Sequence, residues 1–117
     1  MVYCGIDVAK HKHAISLIGD QGQILKTAFN ISNSRSGFDQ LQGELQALGD
    51  KVTIGLEATR HYWLALFDDL THKDYPVVVL NPLQVAAYRK SSVRKVKNDS
   101  SDALWIADYI RIAHLPP

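Results

Sequence analysis

A chain of 117 residues is long enough for one domain with a real core and too short for two. With 46% hydrophobic and 21% charged residues it is no low-complexity or disordered segment, and a formal net charge of +1 creates no global demand for a nucleic-acid partner. A single cysteine excludes an internal disulfide, and no apolar run approaches the about 20 residues of a membrane span, so a cytoplasmic, membrane-free domain is expected.

Residues 2–9, VYCGIDVA, read as a strand, followed by strands over 13–19 and 23–31 that are joined as a hairpin through Gly19-Asp20-Gln21-Gly22. Ser34 or Ser36 can cap a helix carrying Phe38, Leu41, Leu45 and Leu48 at helical spacing, with Gly49 as its stop signal. A fourth strand spans 51–57. A second helix after Thr59 carries Trp63, Leu66, Phe67 and Leu70, and a short buried strand covers 76–80. Asn81-Pro82 opens a short helix to about Tyr88, and a last helix runs from about Ser100 to His114. The resulting order, βββαβαβ with C-terminal helices, predicts an α/β domain over 1–117. Its five-stranded mixed sheet has three antiparallel strands followed by parallel ones, with flanking helices, the order found in ribonuclease H-like, RuvC-like folds.

Strand alternation puts Val2, Cys4, Ile6 and Val8 on one face of the first strand and Tyr3, Gly5 and Asp7 on the other. The fourth strand repeats the layout, with Val52, Ile54 and Leu56 opposed to Thr53, Gly55 and Glu57. GID and GLE are the same device: a small residue, an apolar residue, an acid. If the two strands are parallel neighbours, Asp7 and Glu57 leave one face near one edge, where open α/β sheets place their ligands. Two such carboxylates repel unless a cation lies between them, and hard oxygen donors suit Mg²⁺ or Mn²⁺. Each acid alone has a plainer explanation, Asp7 as a turn starter and Glu57 as a helix flank. Asp99 is likewise a good N-cap with Asp102 at N3. Yet Asp102 falls on the apolar stripe of Ala103, Ile106, Ala107, Ile110 and Ala113, and so points toward the sheet.

Asp7 in GIDVAK, Glu57 in GLEATRHYW, and Asp99 with Asp102 in KNDSSDA together resemble the DEDD transposases, the RuvC-like insertion-sequence family that includes the Piv-type DNA invertases and the bridge-RNA-guided recombinases. The resemblance covers essentially the whole chain, as that family's N-terminal domain. It implies that Asp7, Glu57, Asp99 and Asp102 form a catalytic acidic tetrad binding divalent metal, Mg²⁺ or Mn²⁺, for cleavage and transfer of DNA strands. It further implies a C-terminal domain, absent from these residues, that carries a serine nucleophile. The fragment is therefore expected to be inactive alone. The intact protein is expected to be homo-oligomeric, with DNA as its partner and a guide RNA as an open second one.

Arg89, Lys90, Arg94, Lys95 and Lys97 fall within nine residues that contain no acid, and with Arg60 they are the candidate nucleic-acid contacts. A solvated loop is the bland alternative for that run. Trp63 suits the apolar side of its helix, while Arg60 and His61 are more open. His11 and His13 lack the cysteine partners of a zinc site, and His61, His72 and His114 are expected at the surface. Two rival functions remain. A Holliday-junction resolvase-like nuclease would use the same acids; an actin-like or sugar-kinase-like ATP-binding domain would need a glycine- and hydroxyl-rich turn after the first acid, where this chain has DVAKHKH.

Overall fold

The computed structural model describes residues 1–91 and 102–117. Strands β1 (Val2–Asp7), β2 (Lys12–Gly19) and β3 (Ile24–Ser32) are followed by helix α1 (Arg35–Leu48), strand β4 (Val52–Glu57), helix α2 (Leu64–His72), strand β5 (Val77–Leu80) and helices α3 (Pro82–Ser91) and α4 (Asp102–Ala113). The sheet order is β3-β2-β1-β4-β5. β1 to β3 form an antiparallel meander, and β4 and β5 continue the sheet in parallel with β1. The expected five-stranded mixed sheet is therefore present.

Local chemistry explains most boundaries. The β2–β3 turn closes where Gly19 N donates to Gln23 O at 2.9 Å and Gly22, with φ of 81°, donates to Gly19 O at 3.0 Å. Ser34 is the N-cap of α1, its hydroxyl accepting from Gly37 N at 3.3 Å, and Gly49 ends that helix in the left-handed region at φ of 63°. Two helix ends differ from the sequence expectation. α3 continues past Tyr88 to Ser91, so Arg89 and Lys90 lie on a helix rather than in a loop. α4 ends at Ala113, one residue short of the expected His114, and Ala113, expected on the buried stripe, is only half-buried. Its buried residues are Ala103, Leu104, Ile106, Ala107, Asp108 and Ile110.

The core divides between the two faces of the sheet. On one, Cys4, Ile6, Ile54 and Leu56 pack with Phe38, Leu41 and Leu45 of α1 and with Leu66 and Leu70 of α2. Each fully buried aliphatic side chain of this set contributes about 1.5–3 kcal/mol. The burial of Cys4 pushes its thiol pKa up, fitting the small hydrophobe expected of it. On the other face, Val78, Leu80 and Val85 meet Ile106 and Ile110, while Ile18 meets Leu104 and Ala107.

Helix α4 lies close to β1 and β4, and the paired glycines allow it. Gly5 and Gly55 are register partners on the two parallel strands. A methyl group on Gly5 would sit 2.0 Å from the carbonyl oxygen of Ala103 and 2.6 Å from the amide nitrogen of Ala107. One on Gly55 would sit 2.8 Å from Ile110 Cγ2. The glycine in GID and GLE thus makes room for the helix that carries Asp102.

Candidate active site

The β1–β4 register runs Cys4↔Ile54, Gly5↔Gly55, Ile6↔Leu56, and both strands show the same burial pattern down to a half-buried acid at the last position. Asp7 and Glu57 therefore end neighbouring parallel strands on the face that α4 covers. Asp102 opens the described part of α4 above them, its side chain 39% exposed.

The charge of Asp102 is felt at both of the other acids. Asp7 has its pKa raised, first by desolvation and then by the Asp102 charge, with Arg89 pulling it back down. Glu57 is also raised, by desolvation, by Asp102 and by Asp7, again opposed by Arg89. Half-buried acids at a strand edge whose pKa values are raised by burial and by neighbouring carboxylates form a negative pocket suited to a cation. Arg89 on α3 supplies part of that charge, its guanidinium donating to the Asp102 carboxylate and lying 5.9 Å from the Trp105 ring centre.

The donor set is all carboxylate oxygen, the chemistry of a hard divalent cation and not of zinc. Among the described residues no three Asp, Glu, His or Cys side chains stand together as an assembled metal cage. The charges converge, but Arg89 holds Asp102. Asp99, the remaining expected acid, lies outside the described residues, as do Arg94, Lys95 and Lys97.

The other expected contacts are placed as follows. Arg60 and His61 are exposed in the turn after Glu57, and Lys90 is exposed on α3. Arg60 adopts φ of 51°, an uncommon conformation for a side-chain-bearing residue, and its carbonyl accepts from Trp63 Nε1 at 3.0 Å. Trp63 itself precedes α2, packs partly against the core and meets Phe67 edge-on at 5.6 Å.

Three features escape sequence reasoning. Arg89 pairs with Asp102, which requires knowing that α3 extends beyond Tyr88. Asp108 is buried at 1% exposure and accepts from the Tyr88 hydroxyl and from Arg111 Nη2 at 2.9 Å, tying α3 to α4. His13 is fully buried, whereas its neighbour His11 lies exposed in the turn before β2. The available signal for His13 was parity, since it shares a face with Ile15 and Leu17.

The fold is that of a domain of RuvC architecture. RuvC of Thermus thermophilus superimposes with a TM-score of 0.66 at 16% identity, covering 100% of this chain and 99% of that one. The same protein in complex with a Holliday junction substrate gives a TM-score of 0.68 at 16% identity, with the same coverage. The more specific assignment comes from sequence: the model of the DEDD, IS110-type transposase family matches residues 4–117, and the chain belongs to that family. A Streptomyces coelicolor protein assigned to IS117 as its mini-circle transposase is 31% identical over 123 residues, covering 98% of this chain and 29% of that protein. The pilin gene-inverting protein of Moraxella bovis is 31% identical over 110 residues, covering 92% of this chain and 33% of that protein. The chain thus spans about a third of the length of these curated relatives.

Proposed function

We propose that this domain is the metal-dependent catalytic core of a DNA transposase or site-specific recombinase, with Asp7, Glu57, Asp99 and Asp102 as its acidic tetrad. The observation that carries the reading is that Asp7 and Glu57 end neighbouring parallel strands on one face, with their pKa values raised by burial first and then by the charge of Asp102 on α4. Membership of the transposase family supports the same reading.

The four carboxylates would hold Mg²⁺ or Mn²⁺, which would supply activation of the attacking oxygen and stabilisation of the leaving one. Strand register fixes the backbone of Asp7 and Glu57 at neighbouring strand ends, from which both carboxylates could reach one cation. Asp102, paired with Arg89, would have to give up that partner to join them as a ligand, and the guanidinium would then be available to a DNA phosphate, alongside Arg60, Lys90 and the basic stretch at Arg94, Lys95 and Lys97. Strand transfer further needs a nucleophile from a C-terminal domain, a homo-oligomer to hold several DNA ends together, and in guided systems an RNA. The domain by itself is inactive in strand exchange.

A resolvase-like nuclease is the second reading, favoured by the full-length superposition on RuvC. It differs in substrate, branched DNA in place of element ends. Against an ATP-binding domain stands the β1–β2 turn, which has lysines and histidines where a phosphate cradle has glycine and hydroxyls.

The test is DNA nicking in Mg²⁺ by the longer protein that contains this domain. Asp7→Asn and Asp102→Asn should each lower the rate by at least about 100-fold while leaving the protein folded. Undiminished nicking by both variants would overturn the assignment, and cleavage confined to four-way junctions would select the resolvase reading.

A further inference from the structure

The turn that follows Asp7 is anchored more firmly than a hairpin turn requires. Ala9 N donates to His13 Nδ1 at 3.1 Å, Asn33 Nδ2 donates to Lys10 O at 3.1 Å, and Asn33 N donates to His11 O at 2.9 Å. His13 is itself fixed, fully buried and stacked on Phe38 with ring centres 6.5 Å apart and planes at 12°. Its Nδ1 accepts a hydrogen bond, so the ring is neutral with its proton on Nε2, and burial lowers its pKa in the same sense.

What this rigid backbone displays is cationic. Lys10, His11 and Lys12 are all exposed, and among the described residues neither lysine has an acidic partner. Lysines elsewhere do pair: Lys26 with Glu44 at 2.8 Å and Lys73 with Asp69 at 2.8 Å. Position sharpens the contrast. Asp7 is the register partner of Ala14, and Lys12, two residues before Ala14, stands on the same sheet face as Asp7, a diagonal neighbour about 7–8 Å away along the ladder. A lysine chain covers that span.

We propose that the Ala9–Lys12 turn is a DNA-backbone contact. In it Lys10 and Lys12 bind phosphates of the strand presented to Asp7, and Asn33 is the positioning residue that holds the turn. This rests on the reading of the domain as a DNA recombinase core and adds to it a contact on the β2 side of the acids, across from Arg89 of α3, the helix that follows the far edge strand β5. A strand crossing the acid cluster is then held from both flanks.

The test is fluorescence anisotropy of a labelled DNA duplex with this chain in Mg²⁺, across a series of salt concentrations. The double variant Lys10→Ala/Lys12→Ala should bind at least about 10-fold more weakly, and the slope of log K against log salt should fall in magnitude by about 1.8, the release expected from two lost phosphate contacts. Both side chains are exposed, so its Tm should match the parent. Asn33→Ala keeps the lysines and should keep the slope, with affinity lowered about 3- to 10-fold and faster amide hydrogen exchange at Ala9 and His11. DNA binding that the double variant retains in both affinity and slope would overturn this inference alone. Absence of any salt-dependent DNA binding by the unmodified chain would overturn it together with the reading beneath it.

Discussion

The two faces of the sheet are built from alternate residues of the same strands, yet they have opposite characters. On the α1–α2 face, Ile6 and Leu56 are fully buried among aliphatic neighbours. One residue further along each strand, on the α4 face, Asp7 and Glu57 stand half-buried beside a third acid and an arginine. The first face is large and apolar; the second is pared down to glycine so that a helix can approach. A period of two lets one short strand serve packing and chemistry at once, provided the functional residue sits at the strand end where the packed layers open.

The contrast is broken most strongly on the core face. Leu56→Ala should destabilise the domain by about 2–5 kcal/mol in a denaturant melt, since a fully buried leucine leaves a cavity. Its neighbour Glu57→Gln should leave Tm unchanged or higher at neutral pH while abolishing metal-dependent nicking. Equal stability losses for the two would erase the distinction between the faces.

Next comes the glycine track. Gly5→Ala places a methyl group against the α4 backbone and should cost about 1–3 kcal/mol, with Asp102 displaced and activity lost even in the folded fraction. Gly43→Ala, on the exposed side of α1 with open space around it, should instead stabilise by about 0.5–1 kcal/mol. The opposite signs separate glycine kept for close approach from glycine that is merely tolerated.

A smaller effect concerns pH. Asp7 and Glu57 have folded-state pKa values raised above the ordinary 3.8 and 4.5, so each favours the folded state when protonated. That contribution is full below the ordinary values and is lost as pH rises through the raised ones. In metal-free buffer, Asp7→Asn and Glu57→Gln should therefore melt above the parent at neutral pH, and the gap should close as pH falls through the carboxylate range. Mg²⁺ should raise the Tm of the parent at neutral pH and not that of Asp7→Asn. The smallest change is expected for Arg89→Ala. Its pair with Asp102 is about half exposed and is worth at most about 1 kcal/mol, so a chemical melt should barely register it while DNA affinity falls.

Much of this was legible in the sequence because the governing signals are local. Period-two alternation placed Asp7 and Glu57 on one face, and Ser34 and Gly49 announced both ends of α1. What was not legible depends on contacts distant in the chain. The glycine of GID has a visible position but no visible purpose until α4 is laid across it. Arg89 looked like the first member of a basic loop, and only the extra turn of α3 brings it to Asp102. Asp108, six residues beyond Asp102 on the same helix, carries no local mark of burial, since its partners Tyr88 and Arg111 must be seen to close around it. The turn after Asp7 shows its lysines and histidines in the sequence, but not the bonds from Asn33, over twenty residues on, that hold it beside the acids.

The most direct measurement is anomalous diffraction from crystals of this domain grown or soaked in Mn²⁺. The account predicts Mn²⁺ bonded to carboxylate oxygens of Asp7, Glu57 and Asp102, with Arg89 moved off Asp102, and no such density in Asp7→Asn. Mn²⁺ density absent from this edge, or equally strong in the variant, would contradict it.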